Sequence, residues 1–190
     1  KFGVDAMRLY YAHVASPFAD VEWDEDIVMS YRQRLDRIAG FIEEMLGSVA
    51  GRESTPMDLW LLSRFNTHAA AIRGHMERYD LRQAATVAYF EMLNDFKWYV
   101  RRGGGNRSAV LEALRTWILS MMPVTPHCAE ELWEMAGFEG LASSSQYPVP
   151  MEVSQSAEYG EALLRSVMSD IMQIVNVTKM EQERVIMYTF

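Results

Sequence analysis

The chain has 190 residues, 49% of them hydrophobic and 23% charged, with a formal net charge of −8 and a single cysteine. One cysteine excludes an internal disulfide and suits a reducing compartment. No run of 18 apolar residues is present to span a bilayer, and no secretory leader is recognisable. The acidic total hides an asymmetry: residues 60–115 carry 9 basic and 5 acidic side chains, net +4, between ends of net −5 and −7. Such a middle can steer an anion to one face, and it can equally be a solvated helix surface.

Taken in chain order, Asp5–Ala15 reads as a short helix capped by Asp5 and stopped before Pro17. A long helix follows from about Asp24 to Val49, with Ile27, Tyr31, Leu35, Ile38, Ile42, Met45 and Val49 on one apolar face. Thr55-Pro56 opens a third helix, with Asp58 in its first turn, running to about Tyr79. Asp80 caps a fourth, with Leu81, Ala84, Ala88, Met92, Phe96 and Tyr99 on one stripe, ended by Gly103–Gly105, which read as a flexible turn. Asn106 or Ser108 opens a fifth, closed by Pro123. A last helix over about Ala157–Thr178 turns Leu163, Val167, Ile171 and Ile174 inward. Arg184–Phe190, RVIMYTF, reads as a strand without a partner in the chain, the first strand of a following domain. The fold class is therefore all-α: an antiparallel helical bundle with a short C-terminal strand from a truncated domain.

Pro123–Gly140, PVTPHCAEELWEMAGFEG, places a histidine beside the only cysteine. Thr125 and Pro126 form a helix start, and the Thr125 hydroxyl is the expected cap. Ala129, Leu132, Trp133 and Ala136 recur at helical spacing, and Gly137 closes the C-terminus. On a helix His127 and Cys128 point about 100° apart, so packing is favoured over thiol or metal chemistry. His68 and His75 share a helix face, but a metal needs a third ligand, and Arg64 and Arg73 would repel a cation. No GxxxxGK[ST], GxGxxG, HExxH or CxxC occurs, so no catalytic residue and no metal site is assigned. The best binding candidate is Phe96–Arg107, FKWYVRRGGGNR. Lys97, Arg101, Arg102 and Arg107 surround Trp98 and Tyr99, and Arg64 is added from the preceding helix. Arginine forks suit phosphate and aromatic rings suit bases. Cations at a helix C-terminus also stabilise its dipole, and the local pattern leaves the two readings open.

Several stretches together resemble class I aminoacyl-tRNA synthetases, specifically the helical anticodon-binding domain of the leucine enzyme. Lys1–Tyr10, KFGVDAMRLY, resembles the KYGADxxRLY segment after the KMSKS loop. His13–Trp23, HVASPFADVEW, points to the archaeal or eukaryotic-like leucine branch. DLWLLSRFN (58–66) resembles DxWxLSRLN, and FEMLNDFKWYVRR (90–102) resembles FExxNDxxWYxRR. WILSMMPVTPHCAEELW (117–133) is similar to WxxLMAPxxPHxAEELW, the most specific of these. In SSQYP (144–148), Tyr147 stands where the family has tryptophan. The resemblance implies residues 1–23 as a linker and short helix following the catalytic domain, 24–150 as the bundle, and 151–190 as a connecting helix leading into a C-terminal domain. It implies leucine tRNA as partner, touched mainly along its backbone, because leucine enzymes generally do not read the anticodon. It implies ATP with magnesium in the full-length enzyme and no cofactor in this part. The sister enzymes for methionine, valine and isoleucine, and a helical scaffold that meets protein instead of RNA, are the alternatives.

Overall fold

A computed structural model describes residues 2–15, 20–51, 53–149 and 153–178. Eight α-helices are present among them: α1 (Val4–Val14), α2 (Glu25–Ser48), α3 (Pro56–Glu77), α4 (Leu81–Thr86), α5 (Met92–Arg101), α6 (Arg107–Met121), α7 (Pro126–Met135) and α8 (Gln155–Thr178). The expected strand Arg184–Phe190 lies outside the described residues. One turn of π-helix, Val87–Glu91, joins α4 to α5 without a break in helical backbone. The single helix expected there is thus one rod with a one-residue expansion. Such a turn loosens the regular ladder, and the Ala88 carbonyl accepts from the Trp117 indole at 2.6 Å.

Helix α3 is the hub, packing against α4, α5, α6 and α8. Leu61, Phe65, Ala69 and Ile72 form one buried stripe, and Trp60, Ser63 and Asn66 are buried on the other sides, as a helix enclosed by neighbours requires. Phe65, Phe96 and Trp117 form the centre, in edge-on or tilted pairs 5.3–6.3 Å apart. Edge-on pairing sets the positive rim of one ring against the negative face of the next.

On α2 the expected face is observed with one exchange. Val28 is buried while Ile27 is 43% exposed, because the first turn enters the core one position later. Asp24 caps α2 by accepting from the amides of Asp26 and Ile27. Asp80 and Asn106 cap α4 and α6 in the same way. Two expected caps are corrected. Gly3, at φ 83°, precedes α1 instead of Asp5. The Asp5 carboxylate is buried and reaches α7, accepting from the Cys128 amide at 2.7 Å and meeting His127 Nδ1 at 3.0 Å. Thr125 does not cap α7, because its hydroxyl is held by Tyr89 Oη at 2.7 Å. A cap from a distant helix ties secondary to tertiary structure: α7 is satisfied at its start only when α1 is docked. Asp5→Ala is expected to cost about 1–2 kcal/mol, the range for a lost N-cap, read as a lower urea midpoint. A midpoint equal to that of the unsubstituted chain would show that the contact contributes nothing.

The AEELW stretch does structural work. Ala129, Leu132 and Trp133 are buried. Glu130 accepts from the amides of Ala142 and Ser143, each at 2.8 Å, fixing the following loop. Tyr147 closes that loop onto the bundle by donating to the Ala69 carbonyl at 3.0 Å, beneath the Arg73 guanidinium.

Candidate nucleic-acid interface

The sequence-derived patch is divided by the fold. Arg64 donates through Nε to Asp95 at 3.0 Å and through Nη1 to Glu158 at 3.1 Å. Trp98 donates its indole N–H to Glu161 at 2.9 Å, and Arg102 reaches the same carboxylate through two nitrogens at 3.2 Å each. These three side chains are turned to α8. Lys97, Arg101 and Arg107 are exposed, with Arg101 resting 5.8 Å from the Trp98 ring centroid.

The acceptors that claim Arg64 and Arg102 were not singled out in the sequence. Asp95 is nearly fully buried on α5, where His68 Nε2 meets it at 2.8 Å and Arg165 of α8 donates to it at 2.5 Å. The Arg165 guanidinium sits between two indoles, 5.1 Å from Trp60 and 4.7 Å from Trp98. Glu158 accepts from Ser63 at 2.7 Å and from Thr67 at 2.8 Å. Burial opposes ionisation of Asp95, but His68, Arg64 and Arg165 outweigh it and hold the carboxyl at about 2. Glu158 and Glu161 are shifted the same way, burial being overcome by their donors. A signal for Asp95 existed: it lies three residues after Met92 and four before Tyr99, in register with the buried stripe. A charge at a core position implies a buried partner.

Helix α8 is correspondingly rotated from expectation. Of the four residues expected inward, Val167 and Ile171 are half-buried, whereas Leu163 and Ile174 are 67% and 55% exposed. Glu158, Glu161 and Arg165 face α3 and α5 in their place. No residue of α8 is fully buried, so the ionic partners on α3 and α5 fix how the helix is turned.

Among the described residues no three His, Cys, Asp or Glu side chains converge to hold a metal ion, and no described helix is long and apolar enough to cross a membrane. Burial, Asp5 and Glu131 push the Cys128 thiol up to about 12. The thiolate is the reactive form, so at pH 8 a disulfide reagent is expected to modify Cys128 at least tenfold more slowly than free cysteine. Modification at the rate of the free amino acid would contradict that environment.

The architecture defines an all-α domain whose interior charges are matched to one another and whose outer arginines remain at the surface. The chain belongs to the family of anticodon-binding domains of tRNA ligases, whose family model matches residues 58–186. It is 38% identical to the leucine–tRNA ligase of Methanocaldococcus jannaschii over 194 residues, covering 100% of this chain and 20% of that protein. It is 36% identical to the Pyrococcus horikoshii leucine–tRNA ligase over 200 residues, covering 98% and 20%. The chain therefore spans about one fifth of the length of these relatives. A ternary LeuRS–tRNA–LeuAMS complex from Agrobacterium radiobacter K84 has the same fold, with a TM-score of 0.64 and 19% identity over 83% of this chain and 20% of that one.

Proposed function

We propose that this chain is the tRNA-binding helical part of a leucine–tRNA ligase. The observation that carries this is similarity along its whole length to proteins named leucine–tRNA ligase, 32–38% identical. A solved structure of like fold is a complex with tRNA. These relatives also favour leucine over the methionine, valine and isoleucine enzymes. In the whole protein, leucine would be attached to its tRNA at the expense of ATP with magnesium, at a catalytic site outside this chain, in the cytoplasm. No cofactor is assigned to this part.

Residues 1–23 lead into the bundle of 24–150, and 151–190 form the connecting segment that carries α8. The bundle's role is to position the RNA by contacts to phosphate, which fix register without reading sequence. The test is retention of total cellular tRNA by the chain at low salt, followed by sequencing and a salt titration. Binding that weakens steeply with salt is expected, because counterions are released from phosphate. Absence of binding at low salt would overturn the assignment of RNA contacts to this bundle.

A further inference from the structure

Away from α8, a second group of cations is left without counterions. His13 at the end of α1 stacks on Phe90 of the π-turn, with centroids 4.8 Å apart and planes 24° apart. Its Nδ1 meets Tyr31 Oη of α2 at 2.7 Å. Arg34 lies over the Phe90 ring, 3.7 Å from its centroid. Arg37 donates to its own helix at Gln33, and Arg82 of α4 donates to the Val14 carbonyl at 2.7 Å. Among the described residues, no carboxylate reaches ion-pair distance of Arg34, Arg37 or Arg82. The nearest acids in sequence are paired elsewhere: Asp36 with Arg32 at 3.2 Å, Asp80 towards His75 at 3.3 Å, and Glu91 towards His68 at 3.8 Å.

The electrostatics of this group oppose those of the α8 contact. Burial, then Arg82 and Arg34, hold His13 below its ordinary value. Burial, then Arg37, lowers Arg34, whereas Arg64 is raised because Asp95 and Glu158 outweigh its burial. A half-buried cation beside other cations is costly until an anion arrives, and a guanidinium fork matches phosphate geometry.

An independent feature lies next to it. Tyr79 has φ 59°, a left-handed backbone for a bulky side chain, and is 87% exposed. That backbone ends α3 in a Schellman turn, the Asp80 amide donating to the His75 carbonyl and the Tyr79 amide to that of Met76, and the turn holds the tyrosine ring out in solvent. Tyr79, Tyr11 and Arg82 line one open cleft of about 410 Å³.

We propose that Arg34, Arg37 and Arg82, gathered around His13 and Phe90, form the surface that takes the phosphate backbone of RNA, with Tyr79 stacking on a base beside it. This rests on the RNA-binding reading above and assigns its face. It differs from the surface that Lys97, Arg101 and Arg107 would form.

The test compares two variants that remove equal charge, R34Q/R37Q/R82Q and K97Q/R101Q/R107Q, titrated with unfractionated tRNA at several salt concentrations. The first is expected to bind at least tenfold more weakly, with a salt slope shallower by about 2. The second is expected to stay within about threefold, since only spread-out surface charge changes. Tyr79→Gly should weaken binding about tenfold, the scale of one base stack, while its melting temperature rises because glycine relieves the left-handed strain. A structural role alone would not lower affinity while raising stability. On the unsubstituted chain, tRNA should protect Arg34, Arg37 and Arg82 from phenylglyoxal, which needs no variant to fold. Native affinity in a folded R34Q/R37Q/R82Q variant, or no protection of these arginines, overturns this surface while leaving RNA binding intact. No tRNA binding by the unsubstituted chain overturns both.

Discussion

Replacing Asp95 with alanine is expected to destabilise the chain by about 3–5 kcal/mol, the cost of removing one partner from a buried ion pair. The carboxylate faces Arg64, His68 and Arg165 at once. Without it Arg64 keeps Glu158 and a 3.4 Å contact to His68 Nε2, and Arg165 keeps the two indoles with its Nε and Nη2 already buried and unpartnered. The effect should be read as a lower urea midpoint and as earlier proteolytic cleavage just before α8. In D95A/R165M the loss should be smaller than the two single losses added, because the uncompensated cation is gone. Strict additivity, or an unchanged midpoint, would mean that α8 is held by apolar contact instead.

The same group sets the acid limb of stability. Its folded value of about 2 lies below the ordinary 3.8. A depressed carboxyl contributes stability above the unfolded value and loses it as pH falls towards the folded one. The contribution, about 2 kcal/mol at one pKa unit per 1.36 kcal/mol, is thus complete above roughly pH 4 and disappears towards pH 2. Asp95→Ala should flatten stability across that window, while Glu158 and Glu161, lowered in the same direction, keep part of the slope.

Periodicity made the bundle legible where a helix turns a single apolar stripe to its neighbours, as α2 does towards α1 and α7. It could not set the rotation of α8, because that is fixed by Arg64, Arg102 and Asp95 on other helices. The patch at 96–107 illustrates the same limit. Its sequence gathers cations, but two acids more than fifty residues away, Glu158 and Glu161, neutralise Arg64 and Arg102. Conversely, residues 13, 34, 37, 82 and 90 are dispersed along the chain, and only the packing of α1 against α2 and α4 makes them one surface. Local sequence reports propensity and register. Counterion choice is a long-range property, and for a binding surface it is the deciding one.

Alanine at Gly104 should prove nearly as damaging, at about 3 kcal/mol, the upper range for overpacking. The glycine run reads as a flexible turn, but its middle residue is where the backbone passes over a fixed ring. A Cβ built there would lie 2.3–2.5 Å from three atoms of Tyr99. The ring cannot yield easily. Its hydroxyl donates to Asp58, whose other oxygen accepts from the Thr55 amide at 2.6 Å, and it accepts from the Asn106 amide at 3.1 Å. Tyr99 thus joins the start of α3 to the start of α6, and both turns are anchored to one phenol. Gly103, at φ 83°, has open space round its Cβ position. Alanine there should cost only about 1–2 kcal/mol, the left-handed penalty. In a Tyr99→Ala background the added cost of Gly104→Ala should nearly vanish, since the clashing atoms are absent. An equal cost in both backgrounds would place the strain in the turn's backbone and not against the ring.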